Sequence, residues 1–286
     1  LPAYSSDGKY LFYISLRNTF PKGEKTICIY SLENGDIQEL YPEFGKLSYP
    51  QWHPDGKSIS LEGTDGEGRQ GIYLMEIDSE RVTPIVQIKE DEEIYSHRWS
   101  VDGKTLFYTK GIPREKTSRI RVHDMNTGQD QELPGSPNDA NDITVSPDGK
   151  FLVLLNRNII RGKRSLRIMP AGGGEPQELY SFETEGNYYI TPAWSPDGKY
   201  IYLPLPASSA DNFELKKSGS SDEWDMWRFS LAGGEGQKLD MKMARFRHIS
   251  IHPDGRHIAF SSFGRALKYP EVWVMENFLP KLKDKK

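Results

Sequence analysis

The chain has 286 residues, 36% hydrophobic and 27% charged, with 26 glycines and 19 prolines, a balance that fits one large all-β domain better than two small ones. A formal net charge of -4 argues against bulk nucleic-acid binding, which needs a basic stripe, and no apolar run reaches membrane-spanning length. Cys28 is the one cysteine, which excludes an intrachain disulfide and leaves the compartment open.

Read in chain order, a short motif recurs: Asp7-Gly8-Lys9, Asp55-Gly56-Lys57, Asp102-Gly103-Lys104, Asp148-Gly149-Lys150, Asp197-Gly198-Lys199 and Asp254-Gly255-Arg256, with steps of 48, 47, 46, 49 and 57 residues. A period in this range means one supersecondary unit per repeat. Three places before each Asp stand Tyr4, Trp52, Trp99, Val145, Trp194 and Ile251. Four and six places after it come pairs such as Ile59/Leu61 and Ile201/Leu203, and apolar residues two apart predict strands. Between them Pro presets φ, Asp favours the turn and Gly accepts positive φ, so each motif is a hairpin.

A third strand follows in each unit, as in Ile27-Cys28-Ile29-Tyr30, Ile72-Tyr73-Leu74-Met75 and Val272-Trp273-Val274-Met275, rich in the residues that favour sheets. After a Gly or Asn turn come short runs ending in Leu: Gln38-Glu39-Leu40, Gln131-Glu132-Leu133, Gln177-Glu178-Leu179 and Gln237-Lys238-Leu239. Four strands in each of six units predict an all-β, six-bladed β-propeller of four-stranded antiparallel blades. Cys28 falls on a third strand and is expected to be an ordinary packed side chain.

The run Trp194-Ser195-Pro196-Asp197-Gly198-Lys199 resembles the signature of the TolB-like propellers built from WD40-like (PD40) repeats, and the resemblance covers nearly the whole chain. It implies the six-bladed fold, a bacterial source and a recognition role. It also implies a periplasmic or extracellular setting, while the residues themselves do not select against a cytoplasmic one. Residues 1–286 read as one propeller domain, the C-terminal part of a longer protein. Unit six has a hairpin and a third strand but no outer run, so a segment before Leu1 is expected to close the ring, since an open sheet edge invites pairing.

In such a blade the Asp-Gly hairpins lie on one rim, and the variable loops and inter-blade links on the other. Binding belongs on the variable rim and the adjoining tunnel mouth. The stretch from Pro206 to Asp225, with Phe213, Lys216, Lys217 and Trp224, is the longest connection and reads either as a lid or as a floppy insertion. Lys110, Arg114, Lys116, Arg119, Arg157, Arg161, Lys163 and Arg164 make a basic rim patch that could dock an anionic partner or be solvated loop charge beside the acidic Glu90-Asp91-Glu92-Glu93 link.

Four and six places before each Asp, the innermost strands carry Gln51/Tyr49, Arg98/Ser96, Thr144/Asp142, Ala193/Thr191 and Ser250/His248. Alternation puts each pair on one side of its strand, facing the axial tunnel either as a solvated lining or as a ligand cluster of Arg98, Asp142 and His248. Tyr49, Tyr189 and Trp224 are further ligand-binding candidates, and Tyr188, Tyr189, Phe213 or Trp224 would be the stacking surfaces for a sugar.

Enzymatic alternatives are weaker. There is no Gly-x-Ser-x-Gly elbow, no Cys pair, no His-Glu-x-x-His helix and no phosphate-binding loop. Metal-dependent lyases resembling this repeat family use several histidines; here His53 and His252 occupy a turn position filled elsewhere by Ser, which leaves His97 and His248 near the tunnel. No catalytic set, metal or cofactor is expected. The reading is a monomeric, non-enzymatic recognition module for a protein or peptide. A metal-dependent lyase or hydrolase acting on oligosaccharide in the tunnel mouth and a non-catalytic carbohydrate-binding module remain as alternatives.

Overall fold

The structure, a computed structural model, describes residues 2–15, 26–42, 44, 46–156, 163–183, 190–206, 223–244, 246–262 and 271–279. Its strands form six antiparallel sheets in chain order. Blade one holds β1 (Ala3–Tyr4), β2 (Tyr10–Ser15), β3 (Thr26–Ser31) and β4 (Ile37–Leu40); blade two β5 (Lys46–Trp52), β6 (Ser58–Thr64), β7 (Gln70–Glu76) and β8 (Val82–Gln87). Blade three holds β9 (Glu93–Trp99), β10 (Thr105–Ile112), β11 (Thr117–Asp124) and β12 (Asp130–Glu132); blade four β13 (Ala140–Val145), β14 (Phe151–Asn156), β15 (Lys163–Pro170) and β16 (Gln177–Glu183). Blade five holds β17 (Ala193–Trp194), β18 (Tyr200–Pro206), β19 (Glu223–Ser230) and β20 (Gln237–Ala244). Blade six holds β21 (Phe246–Ile251), β22 (His257–Ser262) and β23 (Glu271–Glu276). Among the described residues one 3-10 turn, Pro113–Glu115, is the sole helical element, and no helix is long and apolar enough to cross a membrane.

Each Asp-Gly turn is built by its own side chains. In blade one Ser5 Oγ donates to Asp7 Oδ1 at 2.6 Å, Asp7 Oδ1 accepts the Lys9 amide at 3.0 Å, and Gly8 takes φ +72°. The same Ser-to-Asp bond recurs at Ser100, Ser146 and Ser195. Where His replaces Ser, the ring reaches further. His53 Nδ1 accepts the Asp55 amide at 3.2 Å while Nε2 meets Gly103 O of the next blade at 3.2 Å, and His252 does the same toward Asp254 and Gly8 O. Both histidines are hairpin residues, as the sequence pattern implies, and both also tie their blade to its neighbour.

The core lies between blades. Ile59, Leu106, Leu152, Ile201 and Ile258, all four places after the turn Asp, are wholly buried, each supplying about 1.5–3 kcal/mol of burial. Cys28 is 2% exposed on β3, packed as expected. Blade six meets blade one through Tyr4 N donating to Ser250 Oγ at 3.1 Å and through a cluster of Tyr4, Leu11 and Ala259.

Five blades have four strands, and the sixth has three among the described residues. After β23 the chain turns at Asn277 (φ +53°), and Phe278 buries against Tyr202 of blade five, ring centroids 5.8 Å apart. The turn that leads into an outer strand elsewhere is here diverted onto the preceding blade. Trp273 and Val274 are left 49% and 48% exposed.

Candidate functional site

The six innermost strands enclose a tunnel of about 620 Å³. Every described position four or six places before a turn Asp in blades two to six lines it, including Tyr49, Arg98, Asp142 and His248 with Gln51, Ser96 and Thr144. Toward the hairpin rim the lining changes to Pro54, Val101, Pro147, Pro196 and Pro253, the residues just before the turn Asp in blades two to six, with Ser6 in blade one. One mouth is thus polar and charged, and the other is collared by apolar turns.

Local backbone geometry aims two of these side chains. Between Ser48 and Gln51 on β5, and between Arg247 and Ser250 on β21, the register slips by one residue, the signature of a β-bulge that re-aims a strand. At those bulges Tyr49 and His248 adopt φ +47° and +51°, a left-handed conformation that costs a non-glycine residue about 1–2 kcal/mol. Such strain concentrates at functional sites, and both residues stand on the tunnel wall in blades two and six.

Behind the wall Arg98 and His97 meet two residues that the sequence pattern did not single out, Glu62 and Ser60. Arg98, half-buried, donates through Nη1 to His97 O at 2.7 Å; burial lowers its pKa while the charges of Asp142 and Glu62 support the cation. Glu62, on β6, is 7% exposed, and burial raises its carboxyl well above the usual range, with Arg98 opposing and Asp142 adding. Its Oε1 lies 3.1 Å from His97 Nδ1, and His97 Nε2 lies 2.9 Å from Ser60 Oγ. Burial, with Arg98 second, depresses the His97 imidazole to about 3.

Ser60, His97 and Glu62 are spaced like a nucleophile, base and orienting acid. Ser60 is fully buried, however, and its Oγ accepts the Trp99 indole N–H at 2.8 Å. A substrate cannot reach it, so the trio acts as a polar bridge between blades two and three.

Four candidates, Tyr49, Arg98, Asp142 and His248, converge on the tunnel. Trp224 does not: it is 1% exposed, because on β19 its indole points into the core of blade five, and no face is free to stack on a sugar. His97 is likewise walled off and offers the tunnel no ligand nitrogen, while His248 Nδ1 lies 3.2 Å from Ser261 Oγ. Tyr188, Tyr189, Phe213, Lys216 and Lys217 lie outside the described residues.

The basic rim patch is changed by its neighbours. Lys110 pairs with Glu92 at 2.8 Å and Arg114 with Asp91 at 3.0 Å, so the acidic link offsets two of the charges, and Arg119 lies 3.8 Å from Glu132 on β12. Arg164 is 5% exposed and is no surface group, since its strand position turns it into the sheet packing. Lys116, with φ +55°, ends the 3-10 turn. Arg157 and Arg161, and the side chain of Lys163, lie outside the described residues.

The family described as TolB beta propeller domain (PD40) matches residues 1–159. A Tol-Pal system protein TolB of Francisella tularensis subsp. mediasiatica is 25% identical over 242 residues, covering 68% of this chain and 54% of that protein. An uncharacterized peptidase, YuxL, of Bacillus subtilis is 29% identical over 153 residues, covering 53% of this chain and 21% of that protein. The crystal structure of TolB from Acinetobacter baumannii superposes with a TM-score of 0.69 at 19% identity, covering 95% of this chain and 62% of that one. The chain spans about half the length of the TolB relatives it matches and about a fifth of the peptidase.

Proposed function

Because this chain belongs to the TolB beta propeller domain family, we propose that it is a non-enzymatic recognition propeller that receives a protein or peptide at the polar mouth of its tunnel, on the rim of the variable loops. The observation that carries this reading is the gathering of Arg98, Asp142, Tyr49 and His248 from four different blades around one 620 Å³ cavity. A cation and an anion facing a common space suit a polypeptide, which offers amide donors and acceptors together with charges of both signs. A rigid scaffold holding them in advance lowers the ordering cost of association.

The relative named for a Tol-Pal system supports a role in assembly with other proteins. The burial of Ser60 and His97 supports recognition over hydrolysis, and the burial of Trp224 removes one proposed stacking face of a carbohydrate module. Periplasmic or extracellular residence and a monomeric state belong to the same reading.

The test is selection of peptides from a displayed library on the immobilised chain, followed by affinity measurement against Arg98→Ala, Asp142→Asn and, as a control far from the tunnel, Arg114→Ala. Selected peptides should bind at least tenfold more weakly to the tunnel variants and equally to the control. Peptides indifferent to both tunnel changes would overturn the assignment.

A further inference from the structure

On the hairpin rim of blade six, His252, Asp254 and His257 bring one imidazole nitrogen each and a carboxylate oxygen within 4.8 Å of one another. Two of the three are explained by the turn: in blade two His53 and Asp55 make the same arrangement. The third is not. Where His257 stands, blade two has Ser58, and the other blades have Tyr10, Thr105, Phe151 and Tyr200.

We propose that His252 Nδ1, Asp254 Oδ2 and His257 Nδ1 form a site for a divalent transition metal ion, Zn²⁺ by donor chemistry, which clasps the seam between the last and the first blade. Two imidazoles and one carboxylate are a donor set that zinc accepts with water in the fourth position. The local distances are already short, with His257 Nδ1 2.7 Å from Asp254 Oδ2 and His252 Nδ1 2.9 Å from Asp254 Oδ1, and the ion would displace the Asp254 amide that His252 Nδ1 accepts at 3.1 Å. Asp254 Oδ1 holds the Arg256 and His257 amides at 2.7 and 3.2 Å, which fixes the carboxylate and leaves Oδ2 as the ligand atom.

The nitrogen on the far side of the His252 ring has the kind of partner such a site uses. Metal-ligating histidines hold their second nitrogen against a backbone carbonyl or a carboxylate, which sets ring orientation. His252 Nε2 lies 2.9 Å from Gly8 O, as His53 Nε2 does from Gly103 O at 3.2 Å, while His257 Nε2 faces Glu276 Oε1 at 3.8 Å, beyond hydrogen-bond reach. On metal binding the proton between His257 and Asp254 leaves for solvent or moves to His257 Nε2, facing Glu276. The hairpin role of His252 stands; His257 adds what blade two lacks.

The location gives the site its consequence. His252 is the residue through which blade six grips Gly8 of blade one, and its ring packs edge-on to Tyr4 at 4.9 Å. A ligand that binds only the folded state raises the temperature of unfolding, here at the closure of the ring. This inference is independent of what the tunnel binds.

Isothermal titration of the chain with ZnCl₂ tests it, alongside His257→Ser, which installs the residue of blade two and so keeps the turn, and His53→Ser as a control. Wild type and His53→Ser should each take up one ion and melt at a higher temperature with zinc. In His257→Ser the affinity should fall at least tenfold and the thermal shift vanish. No stoichiometric uptake, uptake as tight in His257→Ser as in wild type, or uptake without a thermal shift would overturn the proposal.

Discussion

Replacing Glu62 with Gln should make the fold more acid-sensitive than the wild type between about pH 4.5 and 6.5. An unfolded chain near pH 5.5 carries Glu62 ionised and His97 protonated, because their ordinary pKa values are 4.5 and 6.5. In the folded chain burial disfavours both charges, raising the Glu62 carboxyl and depressing the His97 imidazole to about 3, so the contact between them keeps a single proton. The pair binds one proton in either state, and its contribution to the pH dependence of stability cancels between pH 4.5 and 6.5.

Removing the carboxylate leaves His97 alone. Its folded pKa lies below its unfolded one, so its stabilising neutral state is fully present above pH 6.5 and is lost as pH falls toward 3. In the middle of the window one full proton separates the two states, giving about 1.4 kcal/mol per pH unit and about 2 kcal/mol across the window. His97→Gln has the opposite sign: the buried Glu62, with its raised pKa, loses stability as pH rises. Urea unfolding followed by tryptophan fluorescence at several pH values reads all three slopes. If Glu62→Gln runs parallel to the wild type from pH 4.5 to 6.5, the buried pair does not exist as described.

Gly103→Ala puts a Cβ 2.8 Å from the His53 ring at a residue with φ +70°. The cost should be about 2–4 kcal/mol by urea unfolding, falling to about 1–2 in a His53→Ser background, where only the backbone term remains. Ser60→Val leaves the Trp99 indole N–H and His97 Nε2 without their partner and should cost about 1–3 kcal/mol for each group left bare. Val153 is the matching residue of blade four, and the Trp194 indole N–H has no hydrogen-bond partner; Val153→Thr should therefore be tolerated within about 1 kcal/mol of wild type, the new hydroxyl and the indole satisfying each other. Among the described residues no strand pairs with the outer edge of Glu271–Glu276, so hydrogen exchange should find its outward-facing amides less protected than those of Ile72–Met75, whose strand is paired on both edges.

The turn chemistry made much of the fold legible. An Asp-Gly pair flanked by alternating apolar residues has one low-energy solution, the hairpin, and its recurrence sets blade number, strand order and tunnel lining together. The same alternation placed Tyr49, Arg98, Asp142 and His248 on the tunnel wall. It could not find Glu62, because a second-strand residue of a propeller faces the neighbouring blade, and the identity of what lies opposite depends on two repeats at once. For the same reason Trp224, Arg164 and His97 read as available when they are buried. Alternation divides a strand into two faces, and in this fold both faces of a blade are interior. The approach of His257 to His252 and Asp254 depends on how the turn folds back onto the start of β22, which spacing along the chain does not reveal.

The central claim is that the polar mouth of the tunnel is the binding surface. Hydrogen exchange of the chain with and without a selected peptide tests it most directly. New protection is expected on the inner strands at residues 46–52, 93–99, 140–145 and 246–251, with the hairpin turns unchanged. Protection confined to the Asp-Gly turns or to the outer strands would contradict it.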